Sequence, residues 1–487
     1  MRKTLAIALA IVALTGMSFA ELNNVTTGGS IYILSEYSSP EVVRGGTLGG
    51  YSAMDAGDSA TMTTQWTRLN VGAEFSDNVS ACIELDSINV WGNGQFRSAY
   101  LTGVDGVARA TDVEVYQAYI EANELYGYPL SAKIGRQEVV LGSEFLVGNG
   151  EAIPTGLSFD GIRLTYAVDT FTVDALAMKL AEASPAEEDG DIDMYGIYAS
   201  YLGLEDITID AYWLLIRDAV SRDTDTGLVG EWIEDVFGWD EMDPSYLHTV
   251  GARIEGTYGA IDYEAELAYQ FGEADAAGIL FGDDDADFDE FAFTLEAGYT
   301  FDIEYQPRVY LGLTYLGGED GRDLGLLEAI NMLLPWGSPD SSLSFNTLFS
   351  DVNYSTVLFG GSWTDLSNLW ILSTGVSASI RENLSVSLDL AYMEVVEETT
   401  LVVIPVLWEV ESDDQLGWQL CLGASYDYSD DVNVSVGWTH LFADEGIEDG
   451  NFVGSNGTVP LGGVLGPWIE SNDDDADYLY ADVTIAF

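Results

Sequence analysis

Eight basic side chains fall inside the alternating segments of this chain: Arg68, Lys133, Arg136, Arg163, Lys179, Arg253, Arg308 and Arg381. They are scarce, because 16 Lys and Arg face 82 Asp and Glu. A charge beside Leu, Val or aromatic neighbours at every second position belongs to the polar face of a β-strand. Such a face can pass ions or charged solutes along it, as pore-lining side chains do. Glu264, Glu266, Glu296 and Asp389 occupy positions of the same kind, as do Glu74, Glu84, Asp86, Asp210, Glu255, Asp262, Glu290, Asp427 and Asp482. Acids therefore outnumber bases on the polar faces, which favours cations as the passing species. The competing reading is a lattice in which the bases only neutralise neighbouring acids. Arg136 fits poorly, since it shares parity with Ile134 while Lys133 shares parity with Gln137; a bulge at Gly135 or a rim position would reconcile it.

Other chemistries are poorly served. Asp283, Asp284 and Asp285 crowd one link, and Asp473, Asp474 and Asp475 another. Hard cations prefer such oxygen ligands, but neither run has the D-x-D-x-D-G spacing of a calcium loop. They are weak cation-binding candidates, and a hydrated, cation-attracting surface is the plainer reading. Two His and two Cys leave little for zinc, haem or a disulfide framework, so no cofactor is expected. No nucleophile motif surrounds any Ser, and His248 and His440 lie near strand ends, so catalysis is not expected. Cys82 and Cys421 fall on polar faces of distant strands and read as free thiols. A net charge of −66 excludes nucleic acid as a partner. With 47% hydrophobic and 12% aromatic residues the chain is not a disordered acidic polymer.

The elements that must position these charges are strands. From Ile261 to Phe271, Ile261, Tyr263, Ala265, Leu267, Tyr269 and Phe271 form one face, and Asp262, Glu264, Glu266, Ala268 and Gln270 the other. The segments 291–301, 384–393 and 416–427 repeat this division, with Leu416, Trp418 and Leu420 on the apolar face of the last. Eighteen candidates begin near residues 28, 66, 79, 113, 130, 158, 170, 191, 206, 246, 260, 289, 306, 368, 383, 415, 431 and 477. Most exceed the five or six residues usual in a soluble strand and reach the roughly nine to eleven needed to cross a membrane obliquely. Many end in Tyr, Phe or Trp, as interfacial girdles require, and short links alternate with long ones. The reading is an all-β, transmembrane, antiparallel up-and-down β-barrel of about 18 strands, with short periplasmic turns and long extracellular loops. It must close, because an unpaired strand edge in lipid costs several kcal/mol per group. A secreted β-sandwich or β-solenoid would have shorter strands and less regular links.

The ends of the chain carry addresses. Met1-Arg2-Lys3 is basic, Leu5 to Leu14 is apolar, and Ser18-Phe19-Ala20 is a small-x-small site before Glu21. Residues 1–20 thus read as a cleavable signal peptide, and 21–487 as the barrel. The terminal Phe487 resembles the signal read by the barrel-assembly machinery. Outer-membrane lipid is the expected surrounding.

Two stretches of loop are too apolar for water. Residues 326–334 within the 317–367 loop suit a short helix, and the 218–245 loop holds Trp232, Ile233, Val236, Phe237 and Trp239. The longer loop is expected to fold over or into the barrel mouth as a constriction, and deleting 324–336 should then raise single-channel conductance. The barrel of eighteen strands is otherwise expected to hold a water-filled lumen.

Residues 132–141 read AKIGRQEVVL, and Phe159-Asp160-Gly161-Ile162-Arg163 follows on the next strand. A GRQ strand, a loop and an FDG-x-R strand resemble the alginate-export family of outer-membrane β-barrel porins over roughly residues 130–181. The resemblance implies an eighteen-strand barrel whose basic lining guides an anionic polysaccharide, with Lys133, Arg136 and Arg163 on the matching strands. The acid excess departs from a basic conduit. The expectation is therefore a channel for passive diffusion of ions or small hydrophilic solutes, preferring cations. The alternatives are an exporter of an anionic, alginate-like polysaccharide and a structural or adhesive surface barrel without transport.

Overall fold

The computed structural model describes residues 24–39, 59–76, 78–91, 113–150, 156–182, 191–219, 244–277, 283–318, 342–352, 354–355, 367–397, 400–403, 408–411, 413–448 and 475–487. The signal segment 1–20, the apolar run 326–334, nearly all of the 218–245 loop, and Asp473 and Asp474 lie outside the described residues, as do the side chains of Asp283, Asp284 and Asp285.

Eighteen antiparallel strands form one closed wall. They are β1 (Asn24–Ser39), β2 (Ala60–Ser76), β3 (Val79–Val90), β4 (Glu114–Ala122), β5 (Leu130–Gln137) and β6 (Phe159–Val168). Next come β7 (Phe171–Glu182), β8 (Asp191–Leu204), β9 (Ile207–Asp218), β10 (Ser245–Tyr258), β11 (Ile261–Ala277) and β12 (Asp283–Thr300). The last six are β13 (Arg308–Leu316), β14 (Leu369–Arg381), β15 (Leu384–Val395), β16 (Gln415–Ser429), β17 (Val432–Ala443) and β18 (Ala476–Ala486). Each pairs with its sequence neighbour, and β18 returns to pair with β1, from Ser30 opposite Ala486 to Ser39 opposite Asp477. At that seam the Gly29 and Phe487 amides and carbonyls exchange hydrogen bonds of 2.9 and 3.0 Å. Every backbone edge is thereby satisfied, the condition hydrocarbon imposes. Every strand anticipated from alternation is present.

The two faces sort as period two demands. On β11, Leu267, Tyr269 and Phe271 point outward and are exposed, while Glu266, Ala268 and Gln270 are buried inside. Outward aromatics gather toward the extracellular side, where Phe293 lies 5.6 Å from Tyr315 and Tyr315 lies 4.7 Å from Trp370, centroid to centroid. Tyr126, Tyr128, Tyr258, Tyr299, Phe301 and Tyr428 are exposed toward the periplasmic turns. These are the two interfacial belts of a membrane barrel. Leu416 departs from the expected outward face. The register between β15 and β16 slips after Met393, Gly417 takes a φ of +114°, and Leu416 is turned into the buried core.

The extracellular half of the lumen is packed rather than open, a correction to the water-filled expectation. Residues 138–150 leave β5 and enter the barrel, bringing Val139, Phe145, Leu146 and Val147 to burial. The described part of the longest loop, 342–352 with 354–355, packs against them with Phe345 and Leu348 buried. The two segments hold each other through main-chain hydrogen bonds from Gly148 to Phe349 (2.8 Å), Phe349 to Leu146 (2.8 Å) and Asp351 to Glu144 (3.0 Å). Around them the wall supplies Leu176, Met178, Met194, Leu214, Leu316, Met393 and Leu441, so one apolar core lies inside the cylinder. Below it, toward the periplasm, the lining is polar.

Candidate functional site

The polar half of the lumen is built where β9 to β13 place charged residues at inward positions. Arg253 on β10 is the hub. Its Nη1 donates to Asp210 on β9 at 2.8 Å and its Nε to Glu264 on β11 at 2.7 Å, and its Nη2 pairs with Glu255. Glu266 lies 4.0 Å from the same guanidinium and accepts hydrogen bonds from Tyr212 (2.7 Å) and Ser143 (3.2 Å). Tyr212 in turn stacks on Tyr198, with centroids 5.6 Å apart. Ser143 belongs to the inserted loop, so this charged cluster is the floor on which the plug rests. Gln270, fully buried one step above, holds the second segment, donating to the Asn346 carbonyl and accepting from its amide at 2.7 Å each.

Toward the periplasmic rim, Arg308 on β13 pairs with Asp262 and, at 2.7 Å, with Glu296. A recess of about 450 Å³ opens here, lined by Asp206, Thr208, Glu255, Asp262, Glu264, Glu296 and Arg308 among others. Five of those named side chains are carboxylates and one is a base. Glu255 and Glu264 are also held by Arg253, and five carboxylates against these two arginines leave the recess net negative.

The remaining predicted positions are dispersed. Arg68 on β2 lies 3.6 Å from Glu84 and 3.7 Å from Glu138, and stacks on Trp66 with its central carbon 3.6 Å from the ring centroid. Tyr116 donates to Glu138 at 2.6 Å and Trp66 to Asp86 at 3.3 Å, which completes that cluster. Lys133 sits over the Tyr119 ring at 4.2 Å. Arg163 grips Asp174 with two bonds of 2.9 Å. Asp389 accepts from Tyr310 at 2.9 Å, and Arg381 is exposed at the periplasmic end of β14. Asp475, at the outer end of β18, accepts from the Ala443 amide at 3.1 Å and lies 3.7 Å from His440. Among the described residues no group of three or more His, Cys, Asp and Glu is arranged to hold a metal ion.

Arg136 does not line the pore. It stands on the outward face, opposite Asp160 in register and bound to it by Nε at 2.9 Å and Nη2 at 2.7 Å. No bulge interrupts β5 against either neighbour. Gly135 instead takes a φ of +131°, and strict alternation then carries Gln137 inward and Arg136 outward. Sequence reasoning also passed over Arg217, on the outward face of β9, and the inserted loop 138–150. For the loop the available signal was its composition, since Val139-Val140-Leu141 and Phe145-Leu146-Val147 are too apolar for a hydrated link. In the second inserted segment Tyr354 is partly buried against the apolar core, and desolvation raises its hydroxyl above the usual phenol range.

A sequence model of the family described as alginate export matches residues 63–395. No curated protein matches the chain. Among solved structures, OccK11 (OpdR) of Pseudomonas aeruginosa is similar with a TM-score of 0.51 at 9% identity, covering 97% of this chain and 98% of that one. OccAB2 of Acinetobacter baumannii gives a TM-score of 0.52 at 8% identity, covering 96% and 99%. OccK8 (OprE) of Pseudomonas aeruginosa gives 0.51 at 10% identity, also covering 96% and 99%. Identities this low carry the fold alone, and that fold is the closed eighteen-strand barrel of outer-membrane porins.

Proposed function

Because the chain belongs to the alginate-export family of outer-membrane barrels, we propose that it is a channel for passive diffusion of ions or small hydrophilic solutes, with a preference for cations. The family and the fold are those of transport channels rather than enzymes, and the barrel resides in the bacterial outer membrane. The observation that supports cation preference is the periplasmic recess, where Asp206, Glu255, Asp262, Glu264 and Glu296 outnumber the two arginines that pair with them, Arg308 and Arg253. Carboxylate rings raise the local cation concentration and repel anions. The permeation path on this reading runs along Arg68, Lys133, Arg163, Arg253, Arg308, Arg381, Glu264, Glu266, Glu296 and Asp389, and past the plug. Reversal potentials in a planar bilayer under a salt gradient test it. A cation-selective potential supports the reading, and an anion-selective one defeats it.

The description of the family favours a second reading, export of an anionic polysaccharide along the inward bases. Against it, Arg163, Arg253 and Arg308 are each already held by carboxylates. On that reading Arg163→Glu or Arg253→Glu should abolish polymer passage. Delivery would follow removal of residues 1–20 and recognition of Phe487 by the barrel-assembly machinery. N-terminal sequencing of the mature protein and loss of folded barrel on removing Phe487 test those two steps.

A further inference from the structure

The Arg136–Asp160 pair lies outside the permeation path, yet it occupies the sequence motif that joins two consecutive strands. β5 ends at Gln137 and β6 begins at Phe159, so each partner sits one residue from a foot of the loop that enters the lumen. We infer that Arg136 and Asp160 form an outer clasp that fixes the two strand ends from which the inserted segment 138–150 departs and to which 156–158 returns, and thereby sets the bore of the channel. They are positioning residues that act through the wall, and the inference rests on the channel reading above.

Three features carry it. First, the guanidinium ties three strands: Nε and Nη2 hold Asp160 on β6, and Nη1 donates to the Val115 carbonyl on β4 at 3.3 Å. Second, the inner face of the same spot is also tied across the two strands, by longer bonds. The Gln137 amide, wholly buried, donates to the carbonyls of Lys133, Gly135 and Gly161 at 3.2 to 3.3 Å. A Cβ on Gly135 would collide with the Ala118 carbonyl and one on Gly161 with the Ala177 carbonyl, so the strands close up here as only glycine permits. Third, the residues next to the clasp go straight to the plug. Phe159 meets Phe349 edge to face at 5.1 Å, and Glu138 accepts from Tyr116 at 2.6 Å.

A pair of charges on the outward wall is a costly way to gain stability, since apolar residues of similar volume serve as well or better. What the fork-to-fork pair supplies is a fixed angle between two strands. The register extends it, for Asp160 faces Lys179, Lys179 faces Asp193, and Asp193 faces Arg217, a row of alternating sign. Rotation of β5 against β6 would break this row and carry Phe159 and Glu138 with it.

The test uses the full chain in planar bilayers, with folding monitored by heat-modifiable gel mobility. Arg136→Gln and Asp160→Asn are expected to raise single-channel conductance by about two-fold or more and to add rapid flicker, as a loosened constriction does. The exchange variant, with Arg136→Asp and Asp160→Arg together, is expected to restore the quiet native level. Arg136→Lys keeps the charge but loses the two-pronged geometry, so it is expected to flicker even where the neutral variants fail to fold. If Arg136→Lys conducts as steadily as the native protein, the clasp is refuted. If the native protein itself passes no current, the channel reading fails first.

Discussion

Replacing Arg253 by Met should damage the barrel far more than the same change at Arg308, although both arginines face carboxylates in the lumen. Arg253 is 6% exposed and its partner Asp210 is 2% exposed. Removing one partner of a buried pair leaves an uncompensated charge and costs about 3–5 kcal/mol. Arg308 is 29% exposed, and its partners Asp262 and Glu296 are 35% and 46% exposed. Water screens such groups, and pairs of this kind are worth about 0–1 kcal/mol. At 1.4 kcal/mol per decade, Arg253→Met should shift the folding equilibrium by roughly two to three and a half decades, and Arg308→Met by less than about one. Urea unfolding in lipid vesicles, followed by tryptophan fluorescence and gel mobility, measures the difference. Adding Asp210→Asn to Arg253→Met should recover part of the loss, because the orphaned charge is removed with its partner. Equal midpoints for the two single variants would refute the claim that burial of the Arg253 pair governs the energy.

Deleting residues 342–355 removes one of the two interlocked segments and should raise single-channel conductance; an unchanged current would mean that the packed core is not the resistance. Leu267→Arg places a charge on the lipid face of β11 and should cost about 2–4 kcal/mol near mid-depth, whereas Thr294→Arg on the lumenal face of β12 should cost much less; equal losses on refolding into vesicles would invert the assignment of faces. Gly135→Ala forces a side chain into a backbone conformation it rarely adopts and should cost about 1–3 kcal/mol, read as a reduced folded fraction on heat-modifiable gels; a normal yield would show that β5 can relax away from β4.

The wall was legible because a membrane barrel places each strand between two media, and its side chains report the medium at every step. Ile261 to Phe271 needs no partner to reveal its lipid face. The same rule assigned Arg68, Arg163, Arg253 and Arg308 to the lumen. It misplaced Leu416, since a single slipped residue at Gly417 reverses a face and leaves no mark in composition. It also could not decide Arg136, whose parity was outward and whose charge argued inward; the answer is a partner, Asp160, supplied by a neighbouring strand on the same side. The apolar inward residues Leu176, Met178, Met194 and Leu214 obeyed alternation without betraying that a loop would cover them.

Alternation, strand length and the rhythm of links are local properties, and the amino-acid order alone therefore determined an eighteen-strand cylinder and the side on which most charges stand. Which charges meet, and what fills the bore, depend on contacts between segments far apart in the chain. Ser143 reaches Glu266, Asn346 reaches Gln270, and Phe349 reaches Phe159 only after the ring has closed and brought opposite walls within a side chain's length of the same inserted loops. Closure converts sequence distance into proximity, and that step belongs to the tertiary structure.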